Sequence, residues 1–455
     1  VKLEQEKQCS AKLIWSFQQL GYELPQTEVE MITKLLVQTM TDTWRYFHTL
    51  DHILMVGNSD YPLEILASLF HDWIYVQVDG KINFNLGYYL TPFIEEDFPN
   101  HYKIKEESQL PQDLTFEVVL AIFGLTKGQE LITYLGQNEF LSALAAAKIL
   151  EPFLPLSIIA QIVTIIEATI PFRSKSEDGF TPSEVLYQRL KLTNNQFNLG
   201  LSLGEIEDTI KQSVRLSNRD VSSFGADNSA EFLDNTWKLL PETNHNLTNT
   251  NSFTIRDYRI AIQKMEGFVY SLEPDLIFSQ FNNYPSPDDY ANIVIKVRNN
   301  LTIGKLYLTC KLIAISFLEA ICLRLGEQLI FRVVMGNLIT QNNPRTKLAY
   351  FLPSSEQSNP EFNTLSPEYQ ETLRILKEEK YDCIDCDSQE SYLAYFLVCQ
   401  LGFKRMLNLR TQTLDFANNK LSGEDFIACF PPKTVKIFTD YLVQLFTENI
   451  KALSC

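Results

Sequence analysis

Apolar residues recur three and four positions apart along most of this chain, and stretches that alternate apolar with polar residues are almost absent. At that spacing a helix turns one apolar stripe toward a core, whereas a half-buried strand needs a period of two. The pattern predicts an all-α fold. At 455 residues the chain exceeds what a single core usually holds, so it is expected to divide. The segment PETNHNLTNTNS is rich in Asn and Thr and lacks any apolar period. It marks the expected division, with residues 1–240 as one domain, 241–253 as a linker or surface loop and 254–455 as a second helical domain. Capping signals stand at Thr27 with Glu30, at Thr181 with Pro182 and Glu184, and at Thr254.

Three of the five histidines fall in WRYFHTLDHILMVGNSDYPLEILASLFHDWIY, residues 44–75. The expected layout is one helix from Trp44 to Gly57 and a second from Pro62 to about Val76. On such a helix His48 and His52, four apart, leave the same face. His71 is followed at once by Asp72 in an otherwise apolar run. In the helix pattern Leu203–Phe224, the stripe of Ile206, Ile210 and Val214 projects toward Asp220. Imidazole and carboxylate together suit Mn, Fe or Zn, and Mg where oxygen dominates, so one or two such divalent ions are the expected cofactor. Of two histidines a turn apart, one can bind metal while the other donates a proton. Arg45 is a candidate contact to a substrate phosphate. Glu167, in EATIPF, is either a further ligand or the partner of a cation.

A histidine, a His-Asp pair and a distant aspartate, all on helices, resemble the HD superfamily of metal-dependent phosphohydrolases. The matching residues are His52, His71-Asp72 and Asp220. YFHTLDHILMV also resembles the first metal helix of the cyclic-nucleotide phosphodiesterases. By that resemblance His52 binds metal and His48 protonates the leaving group. It spans about Thr41 to Phe224 and implies an HD-type helical bundle with a second helical region behind it. The implied activity is hydrolysis of a phosphoester, a nucleotide or cyclic nucleotide among the candidates, by attack of metal-bound hydroxide. Trp73-Ile74-Tyr75 follow the His-Asp pair where the phosphodiesterases carry another histidine, and Ile170 stands where they carry an aspartate. Two alternatives stay open: an HD-type di-iron oxygenase, and an HD fold kept as a non-catalytic binding or regulatory module.

A formal net charge of −17 and a pI near 4.9 repel nucleic-acid phosphates and anionic lipid, which argues against general binding to either. A small phosphorylated substrate remains compatible, because bound cations reverse the sign locally. The apolar runs Ile149–Ile170 and Leu306–Leu323 are interrupted by prolines or charges and are expected to be buried helices, not membrane spans. No basic-then-apolar leader is seen and the eight cysteines follow no frame, so the expected setting is the reducing cytoplasm, with Cys310, Cys322 and Cys399 as buried thiols. Cys383 and Cys386 form the one C-x-x-C, unaccompanied by a second pair. Residues 254–455 carry no recognised motif and leave open a pocket wall, an oligomer interface or a surface for a protein partner.

Overall fold

The computed structural model describes residues 2–249, 252–324, 329–335, 352, 364–378 and 387–453. Among the described residues the fold is all-α apart from one two-stranded antiparallel hairpin. The chain forms two compact units, residues 1–225 with 273–295, and residues 226–272 with 296–455. The division therefore does not fall at 241–253. Residues 241–243 finish a helix, 245–248 make a 3-10 turn, and both sides belong to one unit. Leu247, inside the polar run, is buried and anchors it.

The first unit is organised around helix α9 (Leu156–Glu167), which is buried from Ile159 to Glu167 on every side. A helix apolar all round needs neighbours all round. Here they are α4 (Pro62–Phe70), α7 (Leu114–Phe123), α8 (Gln137–Leu150), α10 (Pro182–Phe197) and α11 (Leu203–Asp220). Outside them α1 (Lys2–Gln19) packs on α4 and on α2 (Gln26–Met40), and the short α3 (Leu50–Val56) packs on α4. Thr27 does not cap α2, because the helix already begins at Gln26 after Pro25 and leaves Thr27 inside its first turn. The capping boxes of α10 (Thr181 with Glu184) and α11 (Ser202 with Glu205) are both formed. Residues 76–104 add α5 (Val76–Asp79), α6 (Phe84–Leu90) and the hairpin β1 (Ile94–Phe98) and β2 (His101–Ile104).

The second unit holds α12 (Ser229–Thr243) and α13 (Ile255–Ser271), the latter capped by Thr254 in a box with Asp257. Helix α14 (Pro287–Leu323) begins among residues grouped with the first unit and continues into the second. It is the one described helix long and apolar enough to cross a membrane, yet 89% of that apolar window is buried inside the fold. Further helices follow, the last of them Pro432–Leu453. Cys9, Cys310, Cys322 and Cys399 are buried thiols; Cys383 and Cys386 lie outside the described residues.

Candidate metal centre

The single Trp44–Gly57 helix expected from sequence is broken. The structure starts α3 only at Leu50, with Thr49 as its N-cap accepting from the His52 N–H. Arg45 is the cause. Its buried guanidinium donates to both carboxylate oxygens of Asp79 (2.9 and 2.6 Å), and to the carbonyls of His48, Asp72 and Trp73. Tying the chain to groups 27 to 34 residues away takes residues 44–48 out of helical conformation. Two expectations are corrected together. His48 and His52 do not share a helix face, and Arg45 is committed to internal partners rather than offered to a substrate phosphate.

Helix α4 ends at Phe70, and its C-cap is His71. The ring is fixed by Nδ1–H donating to the Ser68 carbonyl at 2.8 Å. A carbonyl can only accept, so Nδ1 carries a proton, and Nε2, which faces the carboxylates, is the atom that could bind a cation on giving up its own proton. The α3–α4 approach is close: a Cβ on Gly57 would lie 2.1 Å from Ser68 Oγ. Asp220 is the last residue of α11. Its neighbour Arg219 does not pair with it; Arg219 and Arg215 both bind the wholly buried Glu64 at 2.6 Å, and Arg219 also donates to the Val56 carbonyl. That linkage sets the end of α11 against α3 and α4 and leaves Asp220 turned toward the histidines.

Four side chains meet there. His52 Nε2 lies 2.9 Å from Asp220 Oδ1 and 3.4 Å from Asp72 Oδ2, and His71 Nε2 lies 3.1 Å from Asp72 Oδ2 and 3.4 Å from Asp220 Oδ1. All four donor atoms fall within 4.8 Å of one another and form a group that can hold a metal ion. Two donors each about 2.0–2.2 Å from a shared ion stand roughly 3.0–3.6 Å apart, so the observed separations suit one cation. His71 Nε2 and Asp72 Oδ2 are buried and meet no hydrogen-bonding group outside this cluster, as expected of atoms that share a cation.

The electrostatics agree. Burial pushes the His71 imidazole down, but the carboxylates of Asp72 and Asp220 more than offset this and hold it well above 6.5. Burial pushes Asp72 up, and His71, His48 and His52 together hold it well below the usual carboxylate range. Asp220 is treated alike: hydrogen bonds from His52 and His71 outweigh burial and bring it to about 2. The two carboxylates thus favour positive charge at this point, whether carried by a proton or by a cation. His48 stands outside the donor group, its ring centroid 6.1 Å from that of His52 and 4.2 Å from that of Tyr75.

Glu167 is not turned to this cluster. It is buried and held by Arg173 Nη1 (2.6 Å) and Arg189 Nη1 (3.1 Å), the cation-partner role of the two left open by the sequence. Beside the end of α11, and still within the first unit, lies a cavity of about 480 Å³. One wall is residues 168–173, with Ser217 and Val221 next to it; the other is the loop 275–283, contributed by the segment that returns from the second half of the chain. Asn218 fastens that loop by bonding both the N–H and the carbonyl of Ser279 (2.7 and 2.9 Å).

Comparison with known protein families, with curated proteins and with solved structures finds no match to this chain.

Proposed function

We propose that the chain is a metal-dependent phosphohydrolase that cleaves a small phosphoester, a nucleotide or cyclic nucleotide being the leading candidate. One observation carries this reading. Two imidazoles and two carboxylates, drawn from three chain segments up to 168 residues apart, converge with their donor atoms within 4.8 Å. A divalent cation held there would supply a concentrated positive charge, acidifying a nearby water and neutralising charge that develops on the phosphoryl group. The protein side of the chemistry is orientation and proton transfer. The Ser68 carbonyl fixes the His71 tautomer, and the Glu64–Arg219 pair holds the end of α11 on which Asp220 sits. His48, the imidazole beside the donor group but not within it, hands a proton to the departing ester oxygen.

A donor set of only two histidines supports hydrolysis over di-iron oxygenation, which recruits more of them. Hydrolysis of a panel of nucleotides, cyclic nucleotides and simple phosphoesters, followed by chromatography of the products and by phosphate release, with Mn²⁺, Mg²⁺, Fe²⁺ or Zn²⁺ supplied singly, tests the reading. Activity should require one of these metals and vanish in a His71→Ala/Asp72→Ala protein; full activity in that double variant would overturn it.

A further inference from the structure

Two more buried polar atoms in this neighbourhood lack hydrogen-bond partners, Glu139 Oε2 and Arg173 Nε. Leaving such groups unpaired is costly, so each calls for an explanation. Glu139 sits on α8 between Asn138 and Ser142, and those two residues are already engaged with the chain just beyond the His-Asp pair. Asn138 Oδ1 accepts from the Val76 N–H at 3.1 Å, and Ser142 Oγ accepts from the Ile74 N–H at 2.9 Å. This stretch of α8 therefore faces the segment that leaves Asp72. Burial, followed by the charges of Asp72 and Asp220, pushes the Glu139 carboxyl up to about 7, and Arg173 acts in the opposite direction.

Arg173 lines the cavity beside Asp220. Its two terminal nitrogens are taken up by Glu167, at 2.6 and 3.1 Å. This bidentate grip fixes the plane of the guanidinium and leaves Nε as its one nitrogen without a partner. The cavity is also lined by the aromatic Phe172 and Phe278, and by Lys175, Glu184 and Asp275 as further charged residues. Its volume, about 480 Å³, falls within the range of small-molecule sites, roughly 300–1,000 Å³.

We propose that Arg173 and Glu139 form the substrate side of the centre. Arg173 Nε–H donates to a phosphoryl oxygen of an organic phosphate whose ring-bearing part lies in the cavity, and Glu139 Oε2 accepts from the attacking water. The proposal rests on the hydrolase reading. In the step it describes, the water oxygen bonds to phosphorus and the ester P–O bond breaks. The proton leaving the water passes to the Glu139 carboxylate, and His48 protonates the displaced oxygen, so an alcohol and phosphate result. The positive charge that the sequence sought at Arg45 is supplied instead by Arg173, whose orientation depends on Glu167.

The test uses the full chain and two probes, Mn²⁺ alone and inorganic phosphate added to Mn²⁺-saturated protein, both followed by calorimetry. Arg173→Lys keeps the charge opposite Glu167 but removes the Nε donor, and Arg173→Gln removes both; Arg189 remains on Glu167 in either. Both variants should bind Mn²⁺ within about twofold of wild type and phosphate about tenfold more weakly. Glu139→Gln should leave both affinities within about twofold while lowering kcat about 100-fold at unchanged KM. Phosphate binding unchanged in both arginine variants overturns the assignment of Arg173. Wild-type kcat, or a large loss of Mn²⁺ affinity, in Glu139→Gln overturns that of Glu139. If no phosphoester is hydrolysed by wild type, the hydrolase reading and the water-accepting role of Glu139 fail together, while the phosphate titration still decides Arg173 on its own.

Discussion

Glu64→Gln is the substitution that best separates this structure from a generic helical bundle. Glu64 is fully buried and receives Arg215 and Arg219 at 2.6 Å each, with Ser59 Oγ donating at 2.7 Å. Glutamine keeps the shape but removes the negative charge, and its amide N–H groups turn toward guanidinium N–H groups. Removing one partner of a buried ion pair costs about 3–5 kcal/mol. Both arginines are partly exposed, 21% and 28%, and regain some hydration, so the expected cost falls to about 2–3 kcal/mol. For a unit of this size that corresponds to a drop in Tm of about 5–10 °C. The same substitution frees the end of α11, so Mn²⁺ affinity should fall even though no donor atom is altered. Urea unfolding followed by fluorescence, together with Mn²⁺ calorimetry on the folded variant, measures both effects. A stability change below about 0.5 kcal/mol with wild-type Mn²⁺ affinity would refute the claim that Glu64 positions Asp220.

Three further outcomes follow from the geometry. Gly57→Ala drives a methyl group into Ser68 Oγ, and because the Ser68 carbonyl holds His71, the variant should lose about 1–3 kcal/mol in chemical denaturation and bind Mn²⁺ more weakly. Arg45→Met should destabilise the protein by about 3–5 kcal/mol, since it strands Asp79 and several carbonyls; a stable variant with only a raised KM would restore Arg45 to the substrate side. His48→Asn should bind Mn²⁺ as wild type does yet lose about 100-fold or more in kcat, and loss of metal instead would move His48 into the ligand set.

Much of the helical framework is legible in the sequence because local chemistry sets it. The Thr181–Glu184 box opens α10, Thr254 caps α13, and the Ile206, Ile210, Val214 stripe runs buried along α11 to Asp220. The four residues that converge are legible too, since histidines and a His-Asp pair are rare in this chain and stand in apolar surroundings. What stays hidden depends on partners distant in sequence. Nothing near Arg45 announces Asp79, and that ion pair breaks the expected helix. Glu139 has a faint signal, a charged residue in the Ala- and Leu-rich run QNEFLSALAAAKIL, but its setting is defined by Asp72 and Asp220. The return of residues 273–295 to the first unit, where part of that segment walls the cavity, is a matter of chain topology that no local period encodes.

The central claim is that His52, His71, Asp72 and Asp220 together bind a divalent cation. The direct measurement is Mn²⁺ binding by equilibrium dialysis, comparing wild type with His71→Ala/Asp72→Ala, and circular dichroism to establish that both are folded. The structure predicts one ion per wild-type chain and loss of that binding in the folded double variant. A wild-type chain that binds none, or a double variant that binds as well as wild type, would contradict it.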